Sequence, residues 1–193
     1  MTTWHWVRHA PTHAKSFVGW RDVAGDLSDA GQLDRLRAHL PNDAVLMSSD
    51  LRRTIATADA LAVDTQHRLP ADPHIREMHF GIWDGMHFED VAARDPVLSR
   101  QFWEEPGSVV APGGESWHMT AARVNAVVNR MNAKHPDTHI IAVAHFGVIL
   151  TQIQRAMGIS AYEALAYKID NLSVTEITWQ AGNASVGRIN HLP

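Results

Sequence analysis

The chain of 193 residues contains no cysteine. Disulfides are therefore impossible, and nothing argues for an oxidising compartment. Thiolate nucleophiles are excluded, and with them the cysteine phosphatases and cysteine proteases. Cys-held zinc and iron–sulfur clusters are excluded as well. No run of Lys or Arg appears, and the formal net charge is −4. Nucleic acid and an acidic membrane surface are thus poor candidates for partners. No apolar run approaches the length of a membrane span, and Arg8 and His9 interrupt the first apolar residues. A soluble, cytoplasmic protein is the expectation. Three familiar catalytic motifs are also missing. No Gly-x-x-x-x-Gly-Lys-Ser/Thr loop argues for an NTPase, no Gly-x-Ser-x-Gly elbow for an α/β-hydrolase, and no His-Glu-x-x-His for a zinc protease.

What is present is a little under half apolar residues and thirteen His. That suffices for one buried core, so one domain over residues 1–193 is expected. The first strand is read over residues 3–8, running into Arg8-His9 and then Pro11, which forbids a helix there. A helix follows with Ser28 as its N-cap and Leu33, Leu36 and Leu40 on one face. Ala44–Met47 reads as a second strand, and Asp50 as the N-cap of a second helix. Arg53 then falls in the first turn, beside unpaired backbone N–H groups.

Residues 79–85 are turn-rich and aromatic, and short helical pieces over 88–105 break at Pro96 and Pro106. Ser116 opens the longest helix. His139–Ala144 is an unbroken apolar run, the pattern of a strand covered on both faces, and it ends in His145-Phe146-Gly147. A helix to Met157 stops at Gly158. Ser173–Trp179 and Ser185–Asn190 read as closing strands joined by a hairpin. Strand–helix alternation predicts an α/β fold, a three-layer α/β/α sandwich with a mostly parallel central sheet.

Two strands thus end in His, and ligands bind at the carboxyl ends of strands in open α/β sheets. If those strands are neighbours, His9, His145, Arg8 and Arg53 converge at one edge. Two Arg and two His around one point suit an anion, and the Arg fork matches phosphate oxygens. A metal reading of His5, His9 and His13, four apart, fails because Pro11 prevents the shared helix face that the spacing would need. Glu115 reads as a helix-start residue, favoured by the dipole, rather than a catalyst.

Six segments in order carry a family resemblance. Arg8-His9-Ala10-Pro11-Thr12 resembles the Arg-His-Gly-Glu-Thr signature of the histidine phosphatase superfamily, the phosphoglycerate mutase-like proteins. Leu27-Ser28-Asp29-Ala30-Gly31, Ser49-Asp50-Leu51-Arg52-Arg53, Glu77 with Phe80–Gly85, Gly113-Gly114-Glu115-Ser116 and Ala144-His145-Phe146-Gly147 are similar to its further elements. The resemblance implies a phosphoglycerate mutase-like fold and a phosphomonoesterase working through a phosphohistidine on His9. It implies catalytic roles for His9, Glu77, His145, Arg8 and Arg53, with Glu77 as general acid and base. It implies phosphate or substrate contacts from Arg8, Arg53, His145, Thr12, Lys15 and Gly147. It implies a small phosphorylated metabolite as partner, and neither metal nor cofactor.

This chain departs from the pattern at Ala10 and Pro11, at Lys15 where the family often has Asn, and at Phe146 where it has Gly. Those departures support a second expectation, a phosphate-ligand-binding protein with weak turnover. Mutase-type transfer ranks behind hydrolysis because the segment between Glu77 and His145 is short. Glu77–Trp83 also resembles the α-ribazole phosphatase branch. The oligomeric state stays open, a homodimer being one option.

Overall fold

The computed structural model describes residues 1–193. The chain forms a six-stranded sheet in the order β3-β2-β4-β1-β5-β6. Its strands are β1 (Thr2–Arg8), β2 (Val45–Ser48), β3 (His67–Arg68), β4 (His139–Ala144), β5 (Val174–Gln180) and β6 (Asn183–Val186). The first four run parallel; β5 and β6 close one edge antiparallel. β4 and β1 lie at the centre, and each is almost entirely buried. That position explains their apolar runs, because a strand covered on both faces has no solvent side to keep polar.

Alternation along the central strands sorts side chains into two cores. Val7, Ile141, Val143 and Leu46 meet Leu33, Leu36 and Leu40 from α1 (Ala30–His39) and its end, and Ala58 and Leu61 from α2 (Arg52–Leu61). On the other face Trp4, Trp6, Ile140 and Ala142 meet Val124, Val128 and Met131 of α5 (Trp117–Lys134). Val148, Ile149 and Ile153 of α6 (Phe146–Met157) complete that core. Helices on both faces make the expected three-layer α/β/α sandwich, with a mostly parallel sheet. Two short helices, α3 (Phe88–Arg94) and α4 (Pro96–Glu104), bring Val91 and Phe102 into the second core. A last short helix, α7 (Ala161–Ala164), precedes β5.

Several boundaries differ from the sequence reading. The α1 cap is Asp29, whose side chain accepts from the Gln32 N–H at 2.9 Å, and Ser28 lies one residue outside. α2 begins at Arg52 with no side-chain cap. Asp50 instead takes the Arg76 guanidinium, with Nε to Oδ1 at 2.6 Å, since a cation competes strongly for a carboxylate. Pro96 opens α4 as its first residue, where a missing N–H costs nothing. The two-residue β3 carries too little pattern to be foreseen. β6 occupies 183–186 rather than 185–190, and the hairpin turn is Ala181-Gly182. Ser116 and Gly158 do cap α5 and α6 as expected. No helix is long and apolar enough to cross a membrane.

Candidate active site

The pairing of β1 with β4 decides the site. Arg8 lies opposite Ala144, and the His9 N–H donates to the Ala144 carbonyl at 3.1 Å. His9 and His145 are therefore the first residues beyond two adjacent parallel strands. Their rings stand 5.1 Å apart, edge to face. Arg53, in the first turn of α2, is fully buried beside them, and its Nε lies 3.3 Å from His9 Nε2.

One hydrogen bond sets the chemistry of His9. Its Nδ1 lies 2.7 Å from the carbonyl of Ala10. A carbonyl only accepts, so Nδ1 carries the proton, and Nε2 presents its lone pair to the Arg53 Nε–H at 3.3 Å. Burial pushes the His9 imidazole from 6.5 down to about 3, and the Arg53 and Arg8 guanidinium groups reinforce the shift. His145 is fully buried and is also held well below its ordinary range, first by burial and then by Arg53. Two neutral imidazoles therefore share a pocket floor with two cations. A neutral imidazole nitrogen set among guanidinium groups is equipped to attack an electrophilic anion that takes over those guanidinium bonds.

Some polar atoms here lack protein partners. Arg8 spends Nη1 on the Ile169 carbonyl at 2.6 Å, while its buried Nε is unpartnered. His145 Nδ1 is buried and unpartnered too. Its Nε2 meets Ser49 Oγ at 2.8 Å, and Ser49 Oγ meets Thr54 Oγ1 at 2.7 Å. Thr54 Oγ1 donates to the Leu51 carbonyl at 2.7 Å, so Ser49 donates to Thr54 and accepts from His145, which places the imidazole proton on Nε2. The Arg8 Nε–H, a buried donor without a partner, marks a place where an anion would be welcome.

Glu77 is buried, and Gly147 places it. The Gly147 N–H, in the open first turn of α6, donates to Glu77 Oε1 at 3.1 Å and lies 3.2 Å from Oε2. The Met78 N–H adds a bond to Oε1 at 2.9 Å. The resemblance implies Gly147 against phosphate; its N–H is instead taken by the carboxylate. The carbonyl of Glu77 accepts from Trp20 Nε1 at 2.7 Å and from Arg123 Nη2 at 2.8 Å. Arg123 also clasps Glu115 through Nε to Oε1 at 2.8 Å and Nη2 to Oε2 at 2.9 Å. Glu115 in turn accepts from the His79 N–H at 3.0 Å. Glu115 thus braces the Glu77 segment through Arg123 and the His79 N–H.

A cavity of about 560 Å³ opens above these groups. Arg8, His9, Thr12 and Glu77 line it, with Phe17, Phe80, Phe88, Trp103 and Phe146 among the other wall residues. Arg53 and His145 lie beneath its surface. Lys15 is exposed and does not line it, although Ala14 and Ser16 do. The family Asn that Lys15 replaces therefore has no equivalent inside. His5, His9 and His13 share no ligand geometry, since His13 faces solvent and pairs with Asp26 at 2.7 Å. No three His, Asp or Glu side chains anywhere in the chain converge to hold a metal ion.

Sequence reading missed Arg123, Ser49 and Asn171. Asn171 donates through Nδ2 to the His9 carbonyl at 2.7 Å. It sits in a turn with no motif around it, and only the folded neighbourhood identifies it. Ser49 stood within a recognised element, and its place between a strand end and a helix start was the available signal.

Known proteins were compared with this chain. The family described as the histidine phosphatase superfamily (branch 1) matches residues 5–192. Bifunctional protein Rv2228c of Mycobacterium tuberculosis is 31% identical over 179 residues, covering 90% of this chain and 46% of that protein. The chain thus spans about half the length of that relative. Phosphoserine phosphatase 1 of Hydrogenobacter thermophilus is 27% identical over 192 residues, covering 95% of this chain and 90% of that one. The solved structure of Bacillus stearothermophilus YhfR, 21% identical, superposes with a TM-score of 0.90 over 100% of this chain and 98% of that one. At that identity the likeness shows the fold. Matched by the family along nearly its whole length, and carrying two imidazoles and two guanidinium groups at one sheet edge, the chain belongs to the histidine phosphatase superfamily.

Proposed function

We propose that this protein is a phosphomonoesterase that hydrolyses a small phosphorylated metabolite through a phosphohistidine on His9. The observation that carries the reading is the bond from His9 Nδ1–H to the Ala10 carbonyl, which leaves Nε2 as a nucleophile aimed among cations. The relative named phosphoserine phosphatase supports phosphate ester hydrolysis as the reaction type.

In the first step Nε2 of His9 attacks phosphorus, a P–N bond forms and the P–O ester bond breaks. The leaving alkoxide takes a proton from Glu77. In the second step water attacks phosphorus and gives its proton to Glu77. The P–N bond breaks, inorganic phosphate leaves, and the lone pair returns to Nε2. One hard displacement becomes two easier ones. Arg8, Arg53 and His145 stabilise the charge on the equatorial oxygens, each donor being worth about 3 kcal/mol of barrier. Thr12 lines the phosphate end of the cavity and contributes its hydroxyl. Gly147 acts by holding Glu77. Lys15 takes no part in this scheme, and no step needs a metal. The resemblance of Glu77–Trp83 to the α-ribazole phosphatase branch belongs to the same proposal.

The test has two arms. Hydrolysis of p-nitrophenyl phosphate with release of inorganic phosphate, abolished by His9→Ala, is expected. Mass spectrometry after acid-free quenching should find a phosphoryl group on His9. Isomerisation of 3-phosphoglycerate without phosphate release would point to a mutase. Tight phosphate-ligand binding without any adduct would point to a binding protein and overturn the hydrolase reading.

A further inference from the structure

The cavity wall is sharply divided. Its ionisable lining residues are Arg8, His9 and Glu77, all at the phosphate end. Beyond them come Phe17, Val18, Phe80, Phe88, Trp103 and Phe146, with Ala14 and Ser16 beside Phe17. Three of the other aromatic rings cluster around Phe17. Phe17 lies 4.3 Å from Phe88, 4.9 Å from Phe80 and 6.0 Å from Trp103, centroid to centroid. Arg8 itself leans on this wall, its guanidinium 5.5 Å from the Phe146 ring centre. No lysine or second arginine lines the cavity where the rest of a substrate must lie.

Two physical consequences follow. A carboxylate next to the phosphate would leave water for aromatic walls whose one cation, Arg8, is engaged at the phosphate end, and that carries a heavy desolvation penalty. An apolar or aromatic group in the same place would bury ring surface now open to water. Phe88 alone is 59% exposed at the mouth. An isolated exposed aromatic is ordinary; one that completes a concave wall above a polar floor marks a ligand surface. The size agrees, because 560 Å³ lies in the range of sites holding a whole small ligand.

The wall also has a separate origin. Phe88 and Trp103 come from α3 and α4, and neither helix supplies a phosphate-end group. Phe146, where the family pattern has Gly, adds a further ring to the lining, beside Arg8. We infer that this aromatic wall selects phosphomonoesters of uncharged alcohols bearing an aromatic or extended apolar group, and rejects esters with a carboxylate beside the phosphate. Phosphoserine, named in a relative, belongs to the rejected class. The inference rests on the phosphatase reading for its ester, although the wall's preference is testable without turnover.

Phenethylphosphonate and phosphonopropionate present a phenyl ring and a carboxylate on the same two-carbon spacer, and neither is hydrolysed. Titration calorimetry on the intact protein should find the phenyl compound binding roughly 100-fold tighter. Phe88→Ala should lower that preference roughly tenfold. Phe88→Lys, at an exposed position that tolerates charge, should shift it toward the carboxylate. Equal binding of the two phosphonates, or tighter binding of the carboxylate, overturns the inference even if every ester is hydrolysed. The predicted preference in a protein that hydrolyses no ester would uphold the wall and reject the phosphatase. For the esters themselves, phenethyl phosphate should exceed phosphoserine in kcat/KM by a similar factor, and the reverse order overturns the inference.

Discussion

Gly147 gives its backbone N–H to the Glu77 carboxylate at 3.1 Å, and a Cβ built on Gly147 would lie 2.6 Å from Glu77 Oε1. The glycine is therefore there for closeness, since its φ is not in the left-handed region. The helix start can approach the carboxylate only because no side chain intervenes. Gly147→Ala should push Glu77 off its bond while leaving His9 intact. Glu77→Gln should remove the proton donor outright. Both should slow alkyl phosphates by about 100-fold or more and aryl phosphates far less, because a poor leaving group needs the proton most. Comparing kcat for an alkyl ester and p-nitrophenyl phosphate checks this. Equal slowing of both would remove Glu77 from the acid role.

His9 should remain neutral far into the acid range, its imidazole being pushed down to about 3. Nitrogen-detected NMR of the ring through a pH titration reads this directly. Nε2 should show no protonation down to about pH 5, whereas a midpoint near 6.5 would mean that the site is wetter and less cationic than described.

Buried neutral histidines also shape stability. Burial pushes His5 down to about 4, with Glu176 opposing and His139 reinforcing. Its folded-state pKa lies below its unfolded value of about 6.5. Above pH 6.5 both states are neutral and nothing is lost. As pH falls below 6.5 the unfolded chain takes the proton first, so stability declines until about pH 4. His5 alone should account for about 3 kcal/mol of that decline. His9 and His145 act in the same direction. Urea midpoints at several pH values test this, and His5→Asn should flatten the curve between pH 6.5 and 4.

The Glu115–Arg123 pair is mostly buried on both sides. Removing either partner leaves a buried charge uncompensated. Arg123→Met or Glu115→Leu should each cost about 3 kcal/mol, and the double variant should be more stable than the worse single one. Because Arg123 also binds the Glu77 carbonyl, the same variants should lower kcat for alkyl esters. Thermal midpoints with paired kinetics give both readouts.

Much of this could be read from residue order. The run His-Ile-Ile-Ala-Val-Ala carries its own burial signature, and a strand of that kind ending in His145 says where a site would form. β1 announced Arg8 and His9 similarly. Caps were harder. Ser28 and Asp29 are both good caps, and only the observed bond to Gln32 separates them. Asp50 looked like a cap until Arg76 arrived from elsewhere in the fold. Arg123 and Asn171 act through backbone carbonyls, which accept from any donor, so no residue pattern betrays them. Trp residues read as core or rim packing from the sequence, with one or two at the mouth, but the sequence does not say which. Trp4 and Trp6 stack at 4.8 Å inside, while Trp103 borders the cavity.

The central β1–β4 pairing joins the first strand to one well past the middle of the sequence, with Thr3 set against His139 and Arg8 against Ala144. A ribosome must therefore release most of the polypeptide before the two imidazoles can meet. Contacts so remote in sequence close slowly, because the entropy of a long loop is lost before the contact rewards it. Nascent chains should thus be inert, with reactivity switching on late and all at once as the middle of the sheet zips shut.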